Sequence, residues 1–243
     1  VEIWNEPDST SFWPGLSLWQ FNTFYIKIAG ALRAEYLDLK IGGAGWTQGA
    51  AGSAYLGNFL DTVKTASAPL DFLSFHLYSN DPDEFAGDAQ SHRAALDTRG
   101  FTAAELHITE WNTNIGSASS EEMLDLRTRA RGATLMTAAW MELQKNGVAV
   151  STFYRGGDPA LVEPQLYGLH YADGTRKKIA DAFELWASMS AYTTQLEISL
   201  PDGCPLRALA GRDASGAVAI LVCNPTSSAT SYSVGSAASI REV

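Results

Sequence analysis

Two glutamates carry the chemistry that this sequence can do. Glu6 closes the run VEIWNE and Glu110 closes LHITE, 104 positions further on; each stands beside a tryptophan and an asparagine, in WNE and EWN. Both sit where an apolar run gives way to a loop, as residues at the C-terminal end of a strand do. In a parallel α/β barrel, that end carries the catalytic groups. A pair of carboxylates placed there can open a glycosidic bond, one protonating the leaving oxygen while the other attacks the sugar carbon. A lone glutamate at a strand end is more often a helix cap or the partner of a lysine. Two of them, each next to an aromatic plane and an amide, suit a sugar ring better than either role.

The elements that must position this pair follow from the hydrophobic pattern. Val1–Asn5 reads as a strand, followed by a loop with Phe12 and Trp13. A helix over 18–37 has Phe21, Phe24, Tyr25, Ile28 and Leu32 on one stripe. Strands are expected at 40–43, 70–76, 106–109 and 148–154, with helices over 54–65, 89–98, 120–145 and 176–189. The helix at 120 has a capping serine, Glu121 and Glu122 in its first turn, and Asn146-Gly147 to stop it. Strand and helix thus alternate five times, which demands a parallel sheet with right-handed crossovers. From about Thr194 the rhythm changes to short strands at 196–200, 206–210, 218–223 and 230–234, separated by turns such as PDG and RDASG. The boundary is therefore placed at 192: an α/β part over 1–192 and a small antiparallel β segment over 193–243.

Side-chain parity gives a first test of which residues face the site. On LHITE, simple alternation puts Glu110 on the face of Ile108 and turns His107 and Thr109 toward the helices, which makes His107 a packed, hydrogen-bonded core histidine. On DFLSFHLY, His76 and Tyr78 share a face and can both look into the mouth of the sheet. On EIWNE, Asn5 and Glu6 fall on opposite faces, so both can reach one ligand only if the strand ends in a bulge or twist.

At these residues the sequence resembles a known family. VEIWNEPD followed by FW, then KIGGAG, DFLSFHLYS, LHITEWNT and GLHYADGTRKKIADAF, in that order, resembles the retaining glycoside hydrolases of clan A, and glycoside hydrolase family 39 (the β-xylosidase and α-L-iduronidase family) above the others. The likeness runs over most of 1–190, and the tail resembles that family's accessory β domain. The resemblance implies a (β/α)8 TIM barrel of which strands four to eight are present, with no cofactor and no metal. It implies Glu6 as the general acid/base, Glu110 as the nucleophile, and Asn5 as the group that hydrogen-bonds the sugar 2-hydroxyl. His76, Tyr78, Trp111, Trp13 and Tyr154 would line the substrate site. The eighth strand departs from the family pattern, reading STFYRGGDP: Arg155 can bind a sugar hydroxyl or a uronic carboxylate, or pair with Asp158, and the pairing is the more ordinary outcome. The implied activity is double-displacement cleavage of β-glycosidic bonds, foremost in xylo-oligosaccharides. β-Glucosidase or α-L-iduronidase-like action and an inactive carbohydrate-binding remnant are the alternatives.

Counted from the acid/base strand, three βα units of about 30 residues each are expected ahead of Val1. Without them the strands at 1–5 and 148–154 have open edges, which a longer chain, a second chain or another copy would cover. Composition narrows the partners. The 243 residues carry a net charge of −10 with a pI near 4.8, which argues against nucleic acid and anionic membranes. No apolar run approaches the roughly 20 residues that span a bilayer. Cys204 and Cys223 are too few for a disulfide framework, and the four histidines show no metal-ligand spacing.

Overall fold

Helix α1 (Leu18–Glu35) starts at a reciprocal cap, in which the Ser17 hydroxyl accepts from Gln20 N and the Gln20 side chain accepts from Ser17 N at 2.6 Å. Its stripe turns Phe21 and Tyr25 fully inward, whereas Ile28, expected on the same stripe, is 38% exposed. Strand β1 (Gly42–Trp46) lies two residues later than its apolar pattern suggested, because GGAGW pairs through its backbone rather than through an alternating side-chain row. Helix α2 (Ala54–Thr65) has the bounds its sequence gives, and Ser53 caps it. Phe21, Tyr25, Trp46 and Phe59 meet edge-on and tilted, with ring centroids 4.9–6.4 Å apart, and cement α1 and α2 onto β1. Each such pair contributes about 0.5–1.5 kcal/mol beyond its buried area.

Strands β2 (Phe72–Tyr78), β3 (Glu105–Asn112) and β4 (Val148–Phe153) complete a sheet ordered β1-β2-β3-β4, with every neighbouring pair parallel. Along the free side of β1 the chain start makes one parallel bridge, Glu2 to Gly42, in place of the full strand expected there. β4 forms the opposite edge, with its central residues exposed. Helix α3 (Pro82–Asp97) begins seven residues earlier than expected: DPDEFAG looks like a loop, but proline is tolerated in a first helical turn and Asp83 and Glu84 suit the positive end of the helix.

The structure describes residues 1–15, 17–160 and 165–235, in computed form (a computed structural model). They divide into two compact units: Val1–Ser79, Asp83–Asn112 and Leu143–Tyr154 in the first, and Asn80–Pro82, Thr113–Glu142 and Arg155 onward in the second. In the second unit the long helix expected over 120–145 is broken into α4 (Ser120–Thr128) and α5 (Ala130–Lys145). Arg129 is extended between them, and Gly132 packs so close to the Leu126 carbonyl that a Cβ would lie 2.0 Å from its oxygen. Helix α6 (Lys178–Ser188) is followed by an antiparallel meander of β5 (Thr194–Leu196), β6 (Arg207–Arg212) and β7 (Val218–Cys223). The Asp213 carboxylate accepts the backbone N–H groups of Ser215 and Ala217 and so builds the turn signalled by RDASG. The expected strand at 230–234 is not formed. Trp186, Met189 and Leu221 pack on Ala138, Met141, Leu209 and Cys223, so the meander and the two longer helices share one core. Cys204 and Cys223 are both thiols.

Helix α3 buries an ionisable pair that has no role at the strand ends. His92 stacks on Phe75 with centroids 4.4 Å apart, and its Nε2 and the Asp88 Oδ2 lie buried with no hydrogen-bond partner among the described residues. Burial, with the Glu84 charge adding to it, pushes the Asp88 carboxyl up to about 6; burial also pulls the His92 imidazole down to about 4. A carboxyl raised above its unfolded value loses stability for the fold as pH rises through 6, while a depressed imidazole loses it as pH falls through 4. Asp88→Asn removes only the first of these. Urea unfolding at pH 7 should therefore show the variant about 2–3 kcal/mol more stable than the parent, an advantage that fades toward pH 4. Equal stability at pH 7 would overturn this account.

Candidate active site

The chain start is held against β1 by backbone bonds from Ile3 N to the Gly42 oxygen (2.8 Å) and from Glu6 N to the Ala44 oxygen (3.0 Å). Between and at these points Trp4 and Glu6 adopt left-handed backbone, with φ of 75° and 45°. Such conformations are uncommon outside glycine and concentrate at functional sites. They supply the twist that Asn5 and Glu6 required in order to leave simple alternation. The loop that follows is pinned by Asp8, which accepts from Thr47 Oγ1 at 2.6 Å and from Thr47 N at 3.2 Å. Trp13 is buried here rather than open to a ligand: it packs edge-on against Trp4 (5.0 Å) and Phe21 (5.6 Å). Trp4, not singled out from sequence, is the exposed member at 43%.

On β3 the parity expectation fails, for a specific reason. Phe75 pairs with Ile108 and His76 with Glu110, so Thr109 is an extra residue in the ladder. This bulge lets Thr109 and Glu110 both leave the helix-facing side, on which Ile108 and Trp111 are fully buried. His107 is packed and hydrogen-bonded, as expected, with Nε2 3.0 Å from the Glu105 carboxylate. It stacks on Phe72 at 4.2 Å, however, and so lies on the face of His76 and not toward the helices. Trp111, expected to line the site, is corrected as well: the residue after Glu110 turns to the helix-facing side, and its ring sits in the core between Phe85 (5.7 Å) and Phe153 (5.3 Å), with no exposed surface to offer a sugar.

The bulge brings the two glutamates together. His76 Nδ1 lies 2.8 Å from Glu6 Oε1, and the Tyr78 hydroxyl donates to Glu110 Oε1 at 2.5 Å. One oxygen of each carboxylate and a His76 ring nitrogen all lie within 4.8 Å of one another. His76 is 3% exposed, and both carboxylates are half-buried. Asn5 is half-buried at the same strand end, and Tyr154 closes β4, its backbone oxygen accepting from the Asn112 amide and its N–H donating to the Trp111 oxygen. Each carboxylate thus has one oxygen engaged by a fixed partner. That arrangement can give the two groups different protonation roles.

Arg155 and Asp158 belong to the second unit, and there the favoured pairing is replaced. Asp158 is buried with Lys177 at 2.5 Å, and its other oxygen accepts from Gly168 N at 2.7 Å. Arg155 donates instead to the Gly157 carbonyl and stands 6.0 Å from the Tyr167 ring. Burial holds the Lys177 ammonium below the usual lysine range. A signal for Lys177 was present: RKK at a helix start opposes the helix dipole, so one of these cations needs a local anion. Lys177→Met strands the Asp158 carboxylate and should cost about 3–5 kcal/mol in urea unfolding. A loss below about 1 kcal/mol, the worth of an exposed pair, would mean that the pair is solvated.

Known proteins resemble this chain in sequence and in fold. Residues 1–130 match the model of the glycosyl hydrolases family 39. A β-xylosidase of Geobacillus stearothermophilus is 25% identical over 131 residues, covering 46% of this chain and 26% of that protein. Among solved structures, a glucosidase from Croceicoccus marinus is similar with a TM-score of 0.77 and 31% identity, over 91% of this chain and 47% of its own. A monomeric β-xylosidase from Caulobacter crescentus CB15 shares the fold at a TM-score of 0.71 and 22% identity, over 88% of this chain and 45% of its own. The chain therefore spans about a quarter of the first of these relatives and just under half of the other two.

Proposed function

The chain belongs to the glycosyl hydrolases family 39, and from that premise we propose that it carries the catalytic pair of a retaining β-glycosidase. Glu6 is the acid/base and Glu110 the nucleophile. The observation that carries the proposal is the placement of one oxygen of each carboxylate within 4.8 Å of the other, at the C-terminal ends of two parallel segments with β1 and β2 between them. Double displacement needs carboxyl groups about 5–5.5 Å apart, whereas the inverting reaction leaves about 6.5–9.5 Å for a water. On this reading the sheet β1–β4, with the segment that bears Glu6, is strands four to eight of a (β/α)8 barrel.

Tyr78 holds one oxygen of Glu110 and leaves the other to attack the anomeric carbon. The aryl or sugar oxygen departs with the proton of Glu6, while Asn5 binds the 2-hydroxyl. Once Glu110 is esterified its charge is gone, and Glu6, now ionised, takes a proton from the water that cleaves the ester. His76, on the other oxygen of Glu6, keeps that carboxyl aimed through both steps.

β-Xylosides are the proposed substrates, in keeping with the named activity of the Geobacillus relative. β-Glucosides are the second reading, favoured by the higher identity to the Croceicoccus glucosidase. Intact mass after incubation of the full-length protein with a 2-fluoro-xyloside or a 2-fluoro-glucoside tests both. One added sugar on the peptide that contains Glu110 supports retention, and the sugar that labels faster names the substrate. Hydrolysis of either parent glycoside with inversion at the anomeric carbon would overturn it.

A further inference from the structure

A third carboxylate reaches the catalytic pair from behind. Glu2 lies on the segment beside β1, yet its Oε1 accepts from Thr109 Oγ1 on β3 at 2.7 Å, so the bond crosses two intervening strands on the face that bears Glu6 and Glu110. Thr109 is the bulge residue itself. The same carboxylate shares a gap with His76. Gly45 has φ of 59°, and a Cβ there would lie 2.7 Å from His76 Nε2 and 3.4 Å from Glu2 Oε1; the Gly45 N–H is fixed by Ser74 Oγ at 2.9 Å. The missing side chain at position 45 is thus the space into which the His76 ring edge and the Glu2 carboxylate both project. Among the described residues, no lysine or arginine pairs with Glu2.

We propose that Glu2 is a positioning residue for the reaction: through Thr109 it fixes the bulge that presents Glu110, and across the Gly45 gap it orients the His76 ring that holds Glu6. The proposal rests on the assignment of Glu6 and Glu110 above. Glu2 is solvent-exposed, so its hydrogen bond adds little to the stability of the fold, about 1 kcal/mol or less. A merely structural Glu2 would therefore leave turnover alone.

The test uses the full-length protein. Labelling of Glu110 by the 2-fluoro glycoside in the parent comes first and checks the underlying assignment independently. Glu2→Ala should then lower kcat by about 10–100-fold, as expected of a slightly misplaced reacting group, with KM changed by less than about twofold. Glu2→Gln keeps an acceptor oxygen for Thr109 and should recover most of the loss. Thr109→Val should lower kcat as Glu2→Ala does, and the double variant should be no worse than either alone, because the two act through one bond. A parent that labels on Glu110 while Glu2→Ala keeps its kcat overturns the proposal and leaves the assignment standing. So does a loss that Glu2→Gln shares in full, or one that Thr109→Val does not reproduce in a folded protein. A parent that turns over substrate without labelling Glu110 removes the assignment, and the proposal with it.

Discussion

Glu110→Ala should abolish turnover of an aryl β-glycoside, with kcat/KM down by about 10⁴-fold or more, and added azide should restore part of it. The size of the loss follows from the role. Without a nucleophile, the first of the two steps has no acceptor for the sugar, and the remaining residues can only bind substrate and offer a proton. The rescue follows from the geometry. Tyr78 is left without its carboxylate partner, and the space vacated faces the carbon that Glu110 would attack. Azide entering that space forms the C–N bond as the C–O bond breaks, and the aryl oxygen leaves with the Glu6 proton. The product is a glycosyl azide of inverted configuration, which NMR identifies. A variant that keeps activity within tenfold of the parent, or a rescued product of retained configuration, would remove Glu110 from the nucleophile's role.

Glu6→Ala should separate substrates by their leaving groups. A dinitrophenolate departs without a proton, so its kcat/KM, which reports the first step, should stay within about tenfold of the parent. Phenyl and disaccharide substrates need the acid and should lose about 10²–10⁴-fold. The second step loses its base for every substrate. With the activated glycoside the sugar–Glu110 ester should therefore accumulate, visible as a burst of dinitrophenolate followed by a slow steady rate. Equal losses across the leaving-group series would mean that the proton comes from elsewhere. His76, at 2.8 Å from Glu6 Oε1, would then be the first residue to substitute.

Much of this was legible in the residues, and the parts that were not share a cause. Local signals held where the physics is local: Ser119 caps its helix as the pattern suggests, and Asp213 folds its own turn. The glutamates at the ends of two apolar runs do meet, and His76 and Tyr78 lie on the face that β2 alternation gives them. The failures came from events that alternation cannot register. One extra residue at Thr109 put Thr109 and Glu110 on the same face, so alternation counted back from Glu110 assigns His107, Ile108 and Thr109 to the wrong sides. An extended Arg129 divided a helix whose pattern runs on without interruption. Asp158 found Lys177, 19 positions away, in preference to Arg155, three positions away, because only Lys177 is delivered into the same buried pocket. Pairings of that kind are set by tertiary contact, and no window of sequence contains them.

The Thr109 bulge also changes what counts as a conservative difference between this chain and others like it. Replacing Thr109 alters one hydroxyl. Keeping Thr109 but losing the bulge restores strict alternation from Ile108 onward, which turns the Glu110 carboxylate toward the packed helices and brings the Trp111 indole round to the open face, although both residues are still present. The strand therefore stores part of its information in its pairing, as two residues set against the single His76. In an alignment of such chains, a one-position gap at Thr109 is milder than it looks, because it leaves Glu110 opposite His76. A chain that keeps every motif but loses that bulge would look complete on paper and have Glu110 on the wrong side of the sheet.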